Sequence, residues 1–254
     1  MGVARYPLLL LVLSFLAQAL SARIGVFFSQ RRRITEPGVR DDFGIILGAT
    51  LTLLALIIGF TFSMALTRYD QRKNYEEAEA NAIGTEYVRA GLLPAADPGK
   101  VRALLLKYLD QRVLFYETRD EQQLSQINAQ TDKLQAELWS AVQAPAVAQP
   151  TPVAALVVAG MNDVLNSQGY TQAAWWNRIP MAAWGLMAAI AICSNALIGF
   201  GARHPKAEYR LLLILPLVIS IAFFLIADID SPRGGLIRVS PQNLRSLSQS
   251  LRAQ

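Results

Sequence analysis

Few side chains in this 254-residue chain could do covalent or metal chemistry. The one histidine, His204, stands beside Pro205 in a short basic segment. The one cysteine, Cys193, lies inside an apolar run, where it is expected as a small buried residue. Without a second histidine or a cysteine pair, the usual zinc sites are excluded. No phosphate-binding loop or dinucleotide fingerprint occurs. Gly199-Phe200-Gly201 closes an apolar run with no helix start behind it. With no nucleophile–base pair and no metal constellation, the chain is not expected to be an enzyme or to hold a cofactor or a metal.

The remaining candidates are charged or geometric. Glu76, Glu77, Glu79 and Glu86 form an acidic group. It suits either a cation or a solvated helix face with i,i+4 pairs such as Arg72–Glu76 and Lys73–Glu77, and the solvated face is the expectation. Asp228 and Asp230 precede Ser231-Pro232-Arg233-Gly234-Gly235 at the end of an apolar run. Acids at a membrane edge need a partner, and Arg233 or Arg238 is the expected counter-ion in an interfacial turn. Thr52, Leu56 and Phe60 are spaced four apart, so they share one helix face. That face suits helix or lipid packing, or an apolar pore constriction that gates by dewetting. Gly48 and Gly59 are small enough to let a neighbouring helix approach. Arg68 and Arg72 follow directly and would raise the local anion concentration at a pore mouth.

These residues must be positioned by helices. The chain is 53% hydrophobic and 17% charged. Ordinary soluble domains are about 45–50% and about 25%. Disorder, collagen and disulfide scaffolds are therefore excluded. The apolar excess is concentrated in Leu8–Leu20 with its extension to Phe28, Phe43–Leu66, Ile179–Gly201 and Leu211–Ala227, the last broken only by Pro216. A bilayer core needs roughly 20 apolar residues per helix. We read four membrane spans. Arg5, the first apolar core, Ala17 and Ala19 also suit a cleavable leader, which would put Arg31, Arg32 and Arg33 on the translocated side.

Charge divides the same way. Residues 67–178 carry 11 Lys/Arg and 13 Asp/Glu, a net of −2, which leaves +7 for the membrane part and its flanks. A basic membrane flank accounts for this without nucleic acid as a partner. Orientation stays open. The basic loops Arg31, Arg32, Arg33, Arg40 and Arg203, Lys206, Arg210 favour one sense, while Arg68, Arg72, Lys73 and Arg233, Arg238, Arg245 favour the other.

The insert is helix-patterned. No proline occurs from Phe43 to Pro94, so one helix from Phe43 to Val88 would run roughly 69 Å. Gly84 and Gly91 are the expected kink or stop points. Asp97-Pro98 reads as a cap and helix start. Val101, Leu104, Leu105, Tyr108 and Leu109 make one apolar face, with Arg112 on its edge. Leu124, Ile127, Thr131, Leu134, Leu138 and Ala141 form a seam for another helix. Ala144–Pro152 reads as a turn, after which a helix resumes at Val153–Leu165 with Asn162, Asp163 and Asn166 on its polar side. Ser240-Pro241 starts a short helix whose Leu244, Leu247 and Leu251 suit the membrane surface or the central helices. No period-two alternation occurs. The expected fold is all-α: an integral membrane protein with four transmembrane helices and a helical extramembrane domain between spans two and three. The expected segments are 1–66, 67–178, 179–227 and 228–254.

Several stretches together resemble the bacterial bestrophin-like family of unknown function. They are Ile58-Gly59-Phe60-Thr61-Phe62-Ser63-Met64-Ala65, Arg68-Tyr69-Asp70, Glu79-Ala80-Asn81-Ala82-Ile83-Gly84, and the tail from Asp228 to Ser240. That family is distantly similar to the bestrophin anion channels, through Gly59-Phe60 and Thr67-Arg68-Tyr69. The resemblance implies a bacterial inner-membrane, multi-pass homo-oligomer in the lipid bilayer, with a small inorganic anion as the partner. It also implies cytoplasmic termini and extramembrane helices. Bestrophins are pentamers whose second span lines the pore neck with three apolar residues one turn apart. By position these are Thr52, Leu56 and Phe60, with Thr52 departing from the apolar pattern. The acidic calcium clasp of animal bestrophins has no counterpart. The rival expectation is a non-conducting, partner-binding or sensory membrane protein built on the Leu124–Ala141 seam.

Overall fold

The structure, a computed structural model, describes residues 6–31, 37–93, 98–202 and 209–253. Arg5, Arg32, Arg33, Asp97, Arg203, His204 and Lys206 lie outside them, so the expectations resting on those residues do too. Among the described residues the chain is helical, with no strand: α1 Pro7–Arg31, α2 Pro37–Arg89, α3 Pro98–Glu117, α4 Glu121–Ala148, α5 Pro152–Trp176, α6 Met181–Gly201, α7 Tyr209–Leu212, α8 Ile214–Asp230 and α9 Gln242–Arg252. Four helical stretches are long and apolar enough to cross a membrane. The protein is an all-α integral membrane protein. In hydrocarbon a helix satisfies every backbone polar group within itself, and long apolar sequence is thereby channelled into helices.

Contacts divide the chain into two units, residues 1–68 with 178–238, and residues 69–177 with 239–254. The segment expected at 228–254 is split between them.

The membrane unit is organised on α1. Gly25 lies against the backbone carbonyl of Ala196 in α6, and Gly199 against that of Ala22 in α1; a Cβ at either glycine would collide. Such backbone approach is how helices gain van der Waals contact in lipid, where no hydrophobic effect drives them together. Polar side chains add to it. Ser21 Oγ donates to the Ile192 carbonyl at 2.7 Å. Asn195 Nδ2 donates to Gln18 Oε1 at 3.0 Å. Gln18 Nε2 donates to Ser220 Oγ of α8 at 3.1 Å. All four side chains are buried. Gln18, Ser21, Ala22 and Gly25 of α1 thus supply this packing to α6 and α8. Cys193, expected inside, is exposed on the outer side of α6.

Pro216 explains why span four starts late. A proline lacks the N–H and crowds the carbonyl four residues back. Accordingly α7 stops at Leu212 and α8 begins at Ile214, then runs beyond the apolar stretch to Asp230.

The helical unit has its own core. The expected α3 face, Val101, Leu104, Leu105, Tyr108 and Leu109, is buried, and Arg112 is buried with it rather than sitting on an edge. The α4 seam residues Ile127, Thr131, Leu134 and Leu138 are buried too, and Leu124 and Ala141 pack against that core. The seam is consumed within its own chain. Asp120 caps α4 by accepting from the Gln122 and Gln123 N–H groups at 2.6 and 3.0 Å. Thr151 caps α5 by accepting from the Ala154 N–H at 3.1 Å. The turn expected over Ala144–Pro152 is shorter, because α4 continues through Pro145 to Ala148. Gly84 does not kink α2; it lies flush against Leu247 of α9. The tail helix therefore belongs to the central helices, with Leu244 and Leu251 buried.

The α1–α6 contact yields a direct test. Gly199→Val should destabilise the protein by about 1–3 kcal/mol through overpacking. Gly169→Ala, where no atom lies within 4 Å, should not destabilise it. Thermal unfolding of both variants in detergent checks this.

Candidate functional site

Three arrangements carry chemistry. The first is the membrane half of α2. The share of its span buried by its own chain is 6%, against 22% for α1 and 44% for α8. What is covered forms a stripe: Leu54, Thr61 and Ala65 are buried, with Phe43, Leu47 and Arg68 half-buried along the same line. Phe43 meets Phe200 of α6 at 5.9 Å between ring centroids. At about 100° per residue, Thr52, Leu56 and Ser63 lie opposite that stripe, and Phe60 lies on the flank roughly 110° from it. All four are exposed within their own chain. Gly44, Gly48 and Gly59 lie on the same open side, and nothing in the chain comes within 4 Å of a Cβ there. The approach expected at Gly48 and Gly59 is thus not made by a helix of this chain.

The open side of α2 differs from the exposed side of α1 in its small residues. The exposed side of α1 carries Leu8, Leu9, Val12, Leu13, Leu16, Leu20, Ile24, Phe27 and Phe28, together with Ala17, Arg23 and Gln30. The open side of α2 mixes Gly48, Thr52, Gly59 and Ser63 with Ile45, Leu56 and Phe60. Its hydroxyls are turned inward. Thr52 Oγ1 donates to the Gly48 carbonyl at 2.9 Å, and Thr67 Oγ1 to the Ser63 carbonyl at 3.0 Å. A back-bonded threonine leaves its methyl outward. Thr52 therefore behaves as a small apolar residue despite its type.

The second arrangement closes α8. Asp230 pairs with Arg68 at 3.6 Å and accepts from the Ile179 N–H, just ahead of α6, at 3.2 Å. Asp228 accepts from the Leu236 and Ile237 N–H groups at 2.7 and 2.8 Å. Gly235 packs on the Asp228 carbonyl so closely that a Cβ would collide. Asp228 therefore pins the glycine turn, and Asp230 pairs with Arg68, two residues beyond the apolar run of α2. Arg238, expected as a counter-ion, makes no ion pair among the described residues; Arg233 is half-buried in the turn.

The third arrangement is the extramembrane half of α2. Residues 72, 76, 79, 83 and 86 form its inward seam, continued by residue 90 just past its end, and all are buried. Their identities are Arg, Glu, Glu, Ile, Glu and Ala. The acidic group is not a solvated face; only Glu77 of the four is exposed. Buried charge must be met by partners, and here each partner is specific. Arg72 is 1% exposed and donates to the Ala174 and Asn177 carbonyls, both at 3.3 Å, at the end of α5. A helix C-terminus leaves such carbonyls unsatisfied. Arg72, expected from sequence to stand at an open mouth, is instead buried in the helical unit. Glu76 accepts from the Leu244 N–H at 2.9 Å and from Asn243 Nδ2 at 2.6 Å, capping α9 from another helix. Two exposed pairs, Arg245–Glu117 and Arg252–Asp110, hold α9 further along. Glu79 binds Arg112, with Tyr116 and Thr171 hydroxyls at 3.4 and 3.2 Å on its second oxygen. Burial, and then the Glu79 charge, push the Tyr108 and Tyr116 phenols well above their usual range, so both stay neutral. Among the described residues, five acidic side chains are buried, and Glu86 is the one with neither oxygen bonded.

These partnerships were not read from sequence. The signal was present in Arg112 falling on an apolar face, and in the seven-residue repeat of Arg72, Glu79 and Glu86. Among the described residues no group of acidic, histidine or cysteine side chains is arranged to hold a metal.

A family profile described as the Bestrophin-like domain matches residues 9–244. No curated protein matches the chain. A crystal structure of a mutated bacterial bestrophin homologue from Klebsiella pneumoniae is similar at 13% identity and a TM-score of 0.66, over 100% of this chain and 97% of that one. Another structure of that homologue gives 15% identity and a TM-score of 0.65, over 97% of each chain. A third, described as a membrane protein, gives 13% and 0.64, over 96% of this chain and 97% of that one. At such identities the likeness is one of fold, and it extends over both units. The chain belongs to the Bestrophin-like family.

The Glu79–Arg112 pair can be separated from its packing. Removing one partner of a buried pair costs about 3–5 kcal/mol, whereas replacing both by apolar groups is often neutral. Arg112→Leu and Glu79→Met should each lower the thermal midpoint sharply. The double variant should recover most of the loss. Equal loss in singles and double would assign the role to shape alone.

Proposed function

We propose that this member of the Bestrophin-like family is one subunit of a homo-oligomeric anion channel in the bacterial inner membrane, with the open face of α2 lining the pathway. The carrying observation is that Thr52, Leu56 and Phe60 are all exposed on the side of α2 that its own chain leaves uncovered. A closed ring of copies would turn that face to a common axis. Leu56 and Phe60 supply an apolar constriction, and Thr52 joins them because its hydroxyl is bonded to the Gly48 carbonyl. Apolar rings of this kind gate by dewetting.

The anion preference rests on charge. The membrane part and its flanks carry a net +7, and positive flanks concentrate anions. Arg68 stands at the end of the face, but Asp230 pairs with it and reduces its share. Arg72 does not contribute. The partner-binding alternative rested on the α4 seam, whose buried residues are covered by the chain's own core.

Purified protein in liposomes should pass chloride down its gradient. Phe60→Ala should raise the flux severalfold by widening and wetting the constriction. No flux from either protein, or identical flux from both, would contradict the proposal.

A further inference from the structure

Every buried charged side chain on the extramembrane half of α2 has been given a partner except Glu86. Its carboxyl is wholly shielded from solvent, and neither oxygen has a hydrogen-bond partner. The carboxyl faces Gly160 of α5, and a Cβ on Gly160 would collide with its Oε2 and crowd the Arg89 guanidinium. The fold has thus opened a space in α5 for this one acid and left it without a donor. An ionised carboxylate in such a place is costly, whereas the neutral acid is tolerated.

The charged groups around it are few. On its own helix Arg89 lies beside it, and on α5 Asp163 faces it. The short turn Ala90–Leu92, which also packs on α5, carries no titratable group. From α3, Arg102 Nε is bonded to the Tyr87 carbonyl at 3.2 Å. One cation and one anion near the carboxyl offset each other, which leaves burial as the dominant influence.

We propose that Glu86 is a proton switch. It is held as the neutral acid where α2 meets α5, and its ionisation loosens α5 from the end of α2. Burial raises its carboxyl from 4.5 to about 8, with Arg89 opposing and Asp163 adding to the rise. The packed state therefore binds the proton more tightly than the opened one. Closure is strongest below pH 4.5, weakens about tenfold per pH unit as the pH rises toward 8, and is flat above it. The switch does not depend on the channel reading, because its signature is local.

Hydrogen exchange on the full-length protein in detergent tests this. Protection factors in α5, around residues 154–165, should fall roughly tenfold per pH unit from about pH 5.5 to 7.5 and level off above about 8. Glu86→Gln should abolish the dependence while Glu77→Gln, on the exposed side of α2, keeps it. The infrared band of a protonated carboxyl present at pH 6 should disappear in Glu86→Gln. Protection independent of pH in the wild type, the same dependence in Glu86→Gln, or no band lost would each overturn the proposal.

Discussion

Between Phe43 and Leu66, α2 turns one stripe toward its own subunit and leaves the opposite side uncovered. The exposed side chains there combine bulky apolar residues such as Ile45, Leu56 and Phe60 with glycine, threonine and serine. Glycine, threonine and serine at this depth give little contact with acyl chains. The uncovered side is instead suited to a second copy or to a water path. Everything else in the membrane unit is consistent with α2 being held from one side. α1, α6 and α8 pack together through glycine contacts and the Gln18–Asn195–Ser220 hydrogen bonds, and Arg68–Asp230 ties the end of span two to the end of span four.

The two units solve one problem in different media. A polar group withdrawn from water must be met by a partner or it costs free energy. In the membrane unit the partners are amides, hydroxyls and backbone carbonyls, with the Arg68–Asp230 ion pair at the edge. In the helical unit they are full charges. Arg72 serves the C-terminus of α5, Glu76 the N-terminus of α9, and Glu79 the Arg112 guanidinium. Each of these fixes the register of α2 against a different helix. Buried ion pairs do not stabilise much relative to apolar packing, but their loss one partner at a time is costly, and that makes the packing specific. Glu86 is the exception among the buried acids, and its lack of a donor is what makes it responsive to protons.

The spans and the apolar faces were legible because periodicity and length report them directly. Leu104, Leu105, Tyr108 and Leu109 share a face by spacing alone, and Phe43–Leu66 is too long and too apolar for anything but a span. What escaped were properties set by another helix. Glu76 and Glu79 look solvated in sequence because the helices that cover them come 30 to 170 residues later. Arg72 looks like a free cation because the carbonyls it caps are more than 100 residues away. Cys193 reads as buried because an apolar run does not say which of its sides meets lipid. Pro145 reads as a breaker, yet α4 continues through it to Ala148. The open face of α2 was visible as a spacing, but that it lies opposite the packed stripe required the fold.

The central claim is that Thr52 and Leu56 face other copies of the chain while Leu54 faces its own. Cysteines placed singly at these positions, in a chain whose Cys193 is replaced by serine, can be treated in membranes with a short thiol cross-linker. Covalent dimers from Thr52→Cys and Leu56→Cys, and none from Leu54→Cys, are the predicted result. Monomer alone from all three, or dimers from Leu54→Cys only, would contradict it.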